Sequence, residues 1–73
     1  NCIGLLDTAV KQYNIALAAF NTAGQSYESY AKSGSTYAAT TYLNDADTAY
    51  DEYINAQNAI TDFFYDYAMW RDV

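Results

Sequence analysis

Apolar residues recur along both halves of the chain at intervals that alternate between three and four positions. This alternation keeps side chains on one stripe of an α-helix and is typical of a coiled-coil seam. The pattern therefore predicts two long helices. The seam positions are Ile3, Leu6, Val10, Tyr13, Leu17, Phe20, Gly24, Tyr27 and Ala31 in the first half, and Leu43, Ala46, Tyr50, Tyr53, Gln57, Ile60, Phe64 and Tyr67 in the second.

The segment from Lys32 to Thr36 interrupts this pattern. Gly34 suits the left-handed residue that follows a helix C-terminus. Either Ser35 or Thr36 can cap the start of the next helix. A second helix that began only at Asn44 would leave a long loop in a small domain, so the earlier start is favoured.

A connection this short makes the two helices antiparallel neighbours. The predicted fold is all-α, an antiparallel two-helix hairpin that resembles a coiled coil. It forms a single domain, 1–73, with helix 1 at about 3–32, a turn at about 33–36 and helix 2 at about 37–71. We expect the two seams to face each other, in a register in which the numbers of opposed residues add up to about 70.

A second set of apolar positions lies beside the two seams. These residues widen the apolar surface of each helix beyond what one neighbouring helix covers. Because a large exposed apolar surface marks an interface, we expect packing against other chains to complete the fold. The predicted assembly interface consists of Leu5, Ala9, Ala16, Ala23, Tyr42, Ala49, Ala56, Phe63 and Trp70.

Composition also favours association. The 73 residues include no proline and three glycines, which favours uninterrupted helices. A chain of this length is marginal alone and usually needs disulfides, a metal or a partner. Cys2 is the only cysteine and there is no histidine, so an internal disulfide is excluded and a zinc site nearly so. We expect the partners to be copies of the chain, with a different protein as the alternative. The Cys2 thiol is expected to pair between chains or to be buried against a neighbouring chain.

The net charge of −6 excludes a nucleic-acid binder, because three basic residues cannot form the basic face that displaces counterions. No apolar run approaches the roughly 20 residues of a membrane span. The acidic residues Asp45, Asp47, Asp51 and Glu52 lack the glycine and the spacing of a calcium loop, and they are interpreted as a solvated helix face. No metal or cofactor is expected.

No arrangement of residues predicts catalysis. A nucleophile needs a neighbouring base, and Cys2 has no histidine to activate it. We therefore predict no catalytic residues and no enzymatic activity. The nine tyrosines are interpreted mainly as packing residues whose hydroxyl groups reach the edge of an interface.

In size and predicted shape the chain resembles secreted helical-hairpin subunits, such as type III secretion needle proteins and WXG-type secreted proteins. Its turn has neither the proline of the first group nor the Trp-x-Gly of the second, so no residue roles are transferred.

We expect a structural subunit that self-assembles into an extracellular helical filament, pilus-like or needle-like. The alternative is a helical binding module, or an accessory subunit that docks onto a different protein in a larger complex or virion. Because the first residue is Asn1 rather than methionine, a processed precursor with an extracellular or cell-surface location is expected.

Overall fold

The computed structural model describes residues 2–72, which form two long helices joined by a tight turn. Helix α1 spans Cys2–Ser33 and helix α2 spans Thr36–Arg71. The two helices pack along each other, so the predicted all-α hairpin is confirmed. Each helix begins one residue before its predicted start. Asn1, on which the expectation of a processed precursor depends, lies outside the described residues, as does Val73.

The turn is built by two residues with local roles. Gly34 adopts a left-handed conformation with a φ of 64°, and its N–H donates a 2.7 Å hydrogen bond to the carbonyl oxygen of Tyr30. The side chain of Ser35 accepts a 3.1 Å hydrogen bond from the backbone N–H of Ala38. Both predictions for the turn are confirmed: glycine ends α1, and a serine caps α2.

Replacing Gly34 by alanine is expected to lower the free energy of unfolding by about 1 kcal/mol, because a side chain disfavours the left-handed conformation. A Cβ atom at Gly34 would meet nothing within 4 Å beyond its two neighbouring residues, so the cost is one of backbone conformation. Gly34→Asn should lose less, since asparagine tolerates this conformation better. Thermal denaturation followed by circular dichroism, at one fixed protein concentration, compares the three proteins. Equal melting temperatures for the alanine and asparagine variants would contradict the prediction.

The stripe that faces the opposite helix is not the predicted one. Among residues 2–72, the only buried side chains are those of Ala9, Ala23 and Ala56. All three belong to the set that was predicted to face outward as an assembly interface. The predicted seams instead lie mostly on the surface, with Phe20 67% exposed. Alanine at the contact lets two helix backbones approach closely, and this close approach is why the alanine columns lie inside.

We call the observed contact stripe the inner seam. Every member of it is buried or only partly exposed, and its members again alternate by three and four positions. The members are Cys2, Leu5, Ala9, Gln12, Ala16, Ala19, Ala23 and Ser26 on α1, and Ala38, Tyr42, Asp45, Ala49, Glu52, Ala56, Ala59, Phe63 and Asp66 on α2.

Contacts between the helices define their register. Ser26 donates a hydrogen bond to the Asp45 carboxylate, and the rings of Tyr27 and Tyr42 meet edge to face with 5.4 Å between centroids. The residue numbers of these pairs add up to 71 and 69, close to the predicted 70. The predicted register therefore describes the hairpin near its turn, although the stripe predicted to make the contact is wrong.

Candidate functional site

The predicted seam residues, together with Ala39, form one outer side of the hairpin, which we call the groove face. Many of the exposed large apolar side chains of the described residues lie on it. Large side chains dominate it, including Phe20, Tyr50 and Leu43, which are 67%, 64% and 60% exposed. Apolar side chains of this size are usually covered in a folded protein, so a continuous face of them is a candidate interface.

A groove of about 740 Å³ runs along the middle of this face. Alanines of the inner seam contribute to it from between the helices, including Ala16 and Ala56. Larger residues of the groove face line it from both helices. These residues are Tyr13, Leu17, Phe20, Tyr27, Tyr50, Tyr53, Gln57 and Ile60. The groove thus combines small residues between the helices with large residues on each side. Helices pack on one another by fitting ridges of side chains into grooves of this kind.

A second cavity of about 560 Å³ lies at the open end of the hairpin, between the start of α1 and the end of α2. The rings of Phe63 and Tyr67 are stacked with 6.0 Å between their centroids, and the centroids of the Tyr67 and Trp70 rings are 6.1 Å apart. The partly exposed free thiol of Cys2 lines the same cavity. We call the lining residues Cys2, Ile3, Leu6, Phe63, Tyr67 and Trp70 the end cluster.

The structure changes the list of residues available to a partner. Ala9, Ala23 and Ala56 have exposed fractions of 4%, 8% and 5%, which leaves almost no surface for another chain, and this part of the predicted interface is corrected. The inner seam also contains five other members of that predicted interface, all partly exposed. These are Leu5, Ala16, Tyr42, Ala49 and Phe63.

Trp70 differs from the other residues of the predicted interface because it is 69% exposed. Its contact with another chain stays a prediction. The intermolecular pairing of Cys2 stays a prediction as well, with the thiol accessible enough to be tested.

Polar contacts join the two helices at members of the inner seam that do not line the groove. Gln12 Nε2 donates a 3.2 Å hydrogen bond to Glu52 Oε2, and Ser26 donates to the Asp45 carboxylate. Sequence reasoning assigned both carboxylates to a solvated face and missed these contacts. The signal was present, because Asp45 and Glu52 are seven residues apart and therefore share one side of α2.

Charge is distributed unevenly around the hairpin. None of the groove-face positions holds a charged residue, although the chain carries a net charge of −6. The Lys11 ammonium instead forms an exposed 2.9 Å ion pair with Asp7. The hydrogen bond to the Asp7 carboxylate, together with its negative charge, raises the pKa of Lys11 above its usual value. The charged residues therefore lie outside the groove-face positions.

Within residues 2–72, no three side chains of cysteine, aspartate or glutamate are grouped so that they could hold a metal ion. The acidic side chains Asp45 and Glu52 each accept a hydrogen bond from α1 instead of pointing to a common centre. Neither described helix has the length of apolar sequence that a membrane crossing takes.

The fold and its surface thus define an α-helical hairpin with alanines between its helices and one uncharged apolar face. Comparisons with protein-family models, curated proteins and solved structures found no match to this chain.

Proposed function

We propose that this chain is a structural subunit that self-assembles, and that copies of it contact one another through the groove face. The observation that carries the proposal is the distribution of apolar side chains. Among the described residues only alanines are buried inside the hairpin, whereas Leu17, Phe20 and Tyr53 are each about half or more exposed, at 46%, 67% and 54%.

The energetics favour association. Burying a leucine or phenylalanine side chain fully contributes about 1.5–3 kcal/mol, whereas burying an alanine contributes much less. A two-helix hairpin that buries three alanines has little to offset the conformational entropy of ordering its chain. Covering the groove face with another protein surface would supply the missing stabilisation.

The groove face is also large enough for a stable contact. The hairpin measures 57 × 13 × 13 Å between its outermost Cα atoms. One long side therefore offers about 700 Å² before the width of side chains is added, compared with about 800 Å² per partner in a standard protein interface. A single face-to-face contact would bring the chain into the range of specific complexes.

A filament needs a second kind of contact. A face that pairs with the same face on another copy closes on itself, so polymerisation requires a further, non-closing contact. The end cluster is the candidate for it, because Trp70, which does not belong to the groove face, is 69% exposed there. We propose a pilus-like or needle-like filament in which groove faces join copies laterally and end clusters join them along the axis.

Sedimentation velocity over about a hundredfold range of concentration, combined with negative-stain microscopy, tests this proposal. We expect the purified chain to sediment as larger species at higher concentration, and its helix content to rise with the degree of association. A fully helical monomer at every concentration would contradict self-assembly. A small and partly unfolded chain that becomes helical only on addition of another protein would instead support the alternative of a binding module.

A further inference from the structure

We propose that the groove face is covered by the groove face of a second copy, turned end for end, so that two hairpins form an antiparallel four-helix bundle. This inference rests on the proposed function and adds the identity and the orientation of the partner. The two turns would lie at opposite ends of the bundle, and a two-fold axis would pass near its middle.

Charge favours a second copy as the occupant. A protein with a net charge of −6 repels its own copies unless the contact keeps the acidic groups apart. The groove face holds no charged residue along its length, so two copies meet there without bringing carboxylates together. A basic partner would gain no ion pair with the groove-face positions, because none of them holds a carboxylate, and Asp45 and Glu52 already accept hydrogen bonds from α1.

Side-chain volume favours the antiparallel orientation. In the register of the Ser26–Asp45 and Tyr27–Tyr42 contacts, residues whose numbers add up to about 70 form layers across the groove face. Two of these layers contain only small residues: Ala31 with Ala39, and Gly24 with Ala46. Both lie in the half of the hairpin nearest the turn, whereas the half nearest the termini has none.

A parallel pair would place each small layer against the same small layer of its partner. The space at Gly24 is open, since a Cβ atom there would meet nothing within 4 Å beyond its neighbours and the backbone of its own helix. The layer of Gly24 and Ala46 would face the same layer of the other copy. This contact would leave a void, and voids of this kind are destabilising. A parallel pair would therefore pack poorly at these two layers.

An antiparallel pair places each small layer against a large one. With the two-fold axis near Leu17 and Tyr53, the layer of Gly24 meets the layer of Val10 and Ile60 of the second copy. By the same symmetry, the layer of Ala31 meets the layer that contains Ile3. Branched side chains thus fill the space that the small residues leave, as close-packed interfaces require.

The native Cys2 provides a direct test of this orientation. It is the only cysteine, it is partly exposed, and it lies at one end of a rod 57 Å long. A nitroxide spin label on Cys2 of the dimer, isolated by gel filtration, reports the distance between the two labels by pulsed electron spin resonance. We expect a distance of about 50 Å for antiparallel hairpins and below about 20 Å for parallel ones.

A label at the turn separates this geometry from a partial overlap of the two hairpins. The variant Cys2→Ser/Lys32→Cys carries its only label at an exposed position near the turn. Long distances from both label positions support the antiparallel bundle, whereas a short distance from either position overturns it. A dimer with a short distance would leave the proposed function intact, and a chain that stays monomeric would overturn both.

Cross-linking provides a second, independent measurement. In the Cys2→Ser background, a short bis-maleimide should join two copies of Tyr53→Cys efficiently, because this position lies near the proposed axis. The matched variant Phe64→Cys lies on the same face of α2 but about 33 Å from its symmetry mate, so it should not cross-link. Equal yields at the two positions would contradict the antiparallel arrangement.

Discussion

Replacing Leu17 by aspartate is expected to weaken self-association by at least about a hundredfold, which corresponds to about 3 kcal/mol. Leu17 lines the middle of the groove and is 46% exposed in the single hairpin. In an antiparallel pair it lies near the two-fold axis, so the variant would place two carboxylates close together. Each carboxylate would lose water without gaining a partner, and the two would also repel each other.

The control for this variant is Ile15→Asp. Ile15 is on the same helix, two residues away, and is 49% exposed, so the two substitutions introduce the same side chain at nearly equal exposure. Ile15 does not belong to the groove face and does not line the groove. The helix propensity cost of aspartate is shared by both variants, so only the difference in position remains.

Sedimentation equilibrium gives the dissociation constants of the three proteins, and circular dichroism over the same concentrations gives their helix content. Leu17→Asp should form smaller assemblies and have a lower helix content than the parent chain. Ile15→Asp should associate nearly as tightly as the parent chain. Equal weakening by both substitutions would show that the groove face has no special part in association.

The fold could be predicted because its determinants are local. The alternation of three and four residues marks a helix whatever the helix packs against. The turn depends on Gly34 and Ser35, which act through their own backbone conformation and one capping hydrogen bond. Neither signal requires knowledge of a distant residue, so the two helices and their connection were predicted to within one residue of their observed bounds.

The orientation of the helices about their own axes could not be predicted from spacing. The inner seam and the groove face have the same alternation and are displaced by one residue, as Ala9 and Val10 illustrate. Hydrophobicity favoured the stripe with larger side chains as the interior. In the structure the alanine stripe lies inside instead, because columns of alanine seven residues apart let the helix backbones pack closely. The repeated alanines Ala9, Ala16 and Ala23 were the available signal.

Because the alanine stripe lies inside and the predicted seams lie outside, the candidate interface also changes. Sequence reasoning identified an apolar surplus that one hairpin does not cover, and the structure places such a surplus on its surface. It consists of residues such as Leu17 and Tyr50 rather than of the alanine columns. An excess of apolar stripes is visible in a sequence, but which stripe remains outside depends on three-dimensional packing.

Replacing Ala23 by leucine is expected to destabilise the hairpin itself by about 1–3 kcal/mol, because the larger side chain overpacks the inner seam. Ala23 is 8% exposed and lies between the two helices. Leucine fits there only if the helices move apart or the side chain leaves its preferred rotamer. For a domain of this size, such a loss lowers the melting temperature by about 5–20 °C.

The control is Ala18→Leu, an exposed position on the same helix. Alanine and leucine are both good helix formers, so helix propensity contributes little to the difference between these variants. Thermal melts at one fixed protein concentration should show a lower melting temperature for Ala23→Leu and almost no change for Ala18→Leu. If the alanine columns faced outward, leucine at position 23 would not lower stability, so equal melting temperatures of the two variants would contradict the observed inner seam.

Because Ala23 also lines the groove, helices forced apart there would misplace both sides of the groove face. Ala23→Leu should therefore weaken association as a consequence of the distorted hairpin.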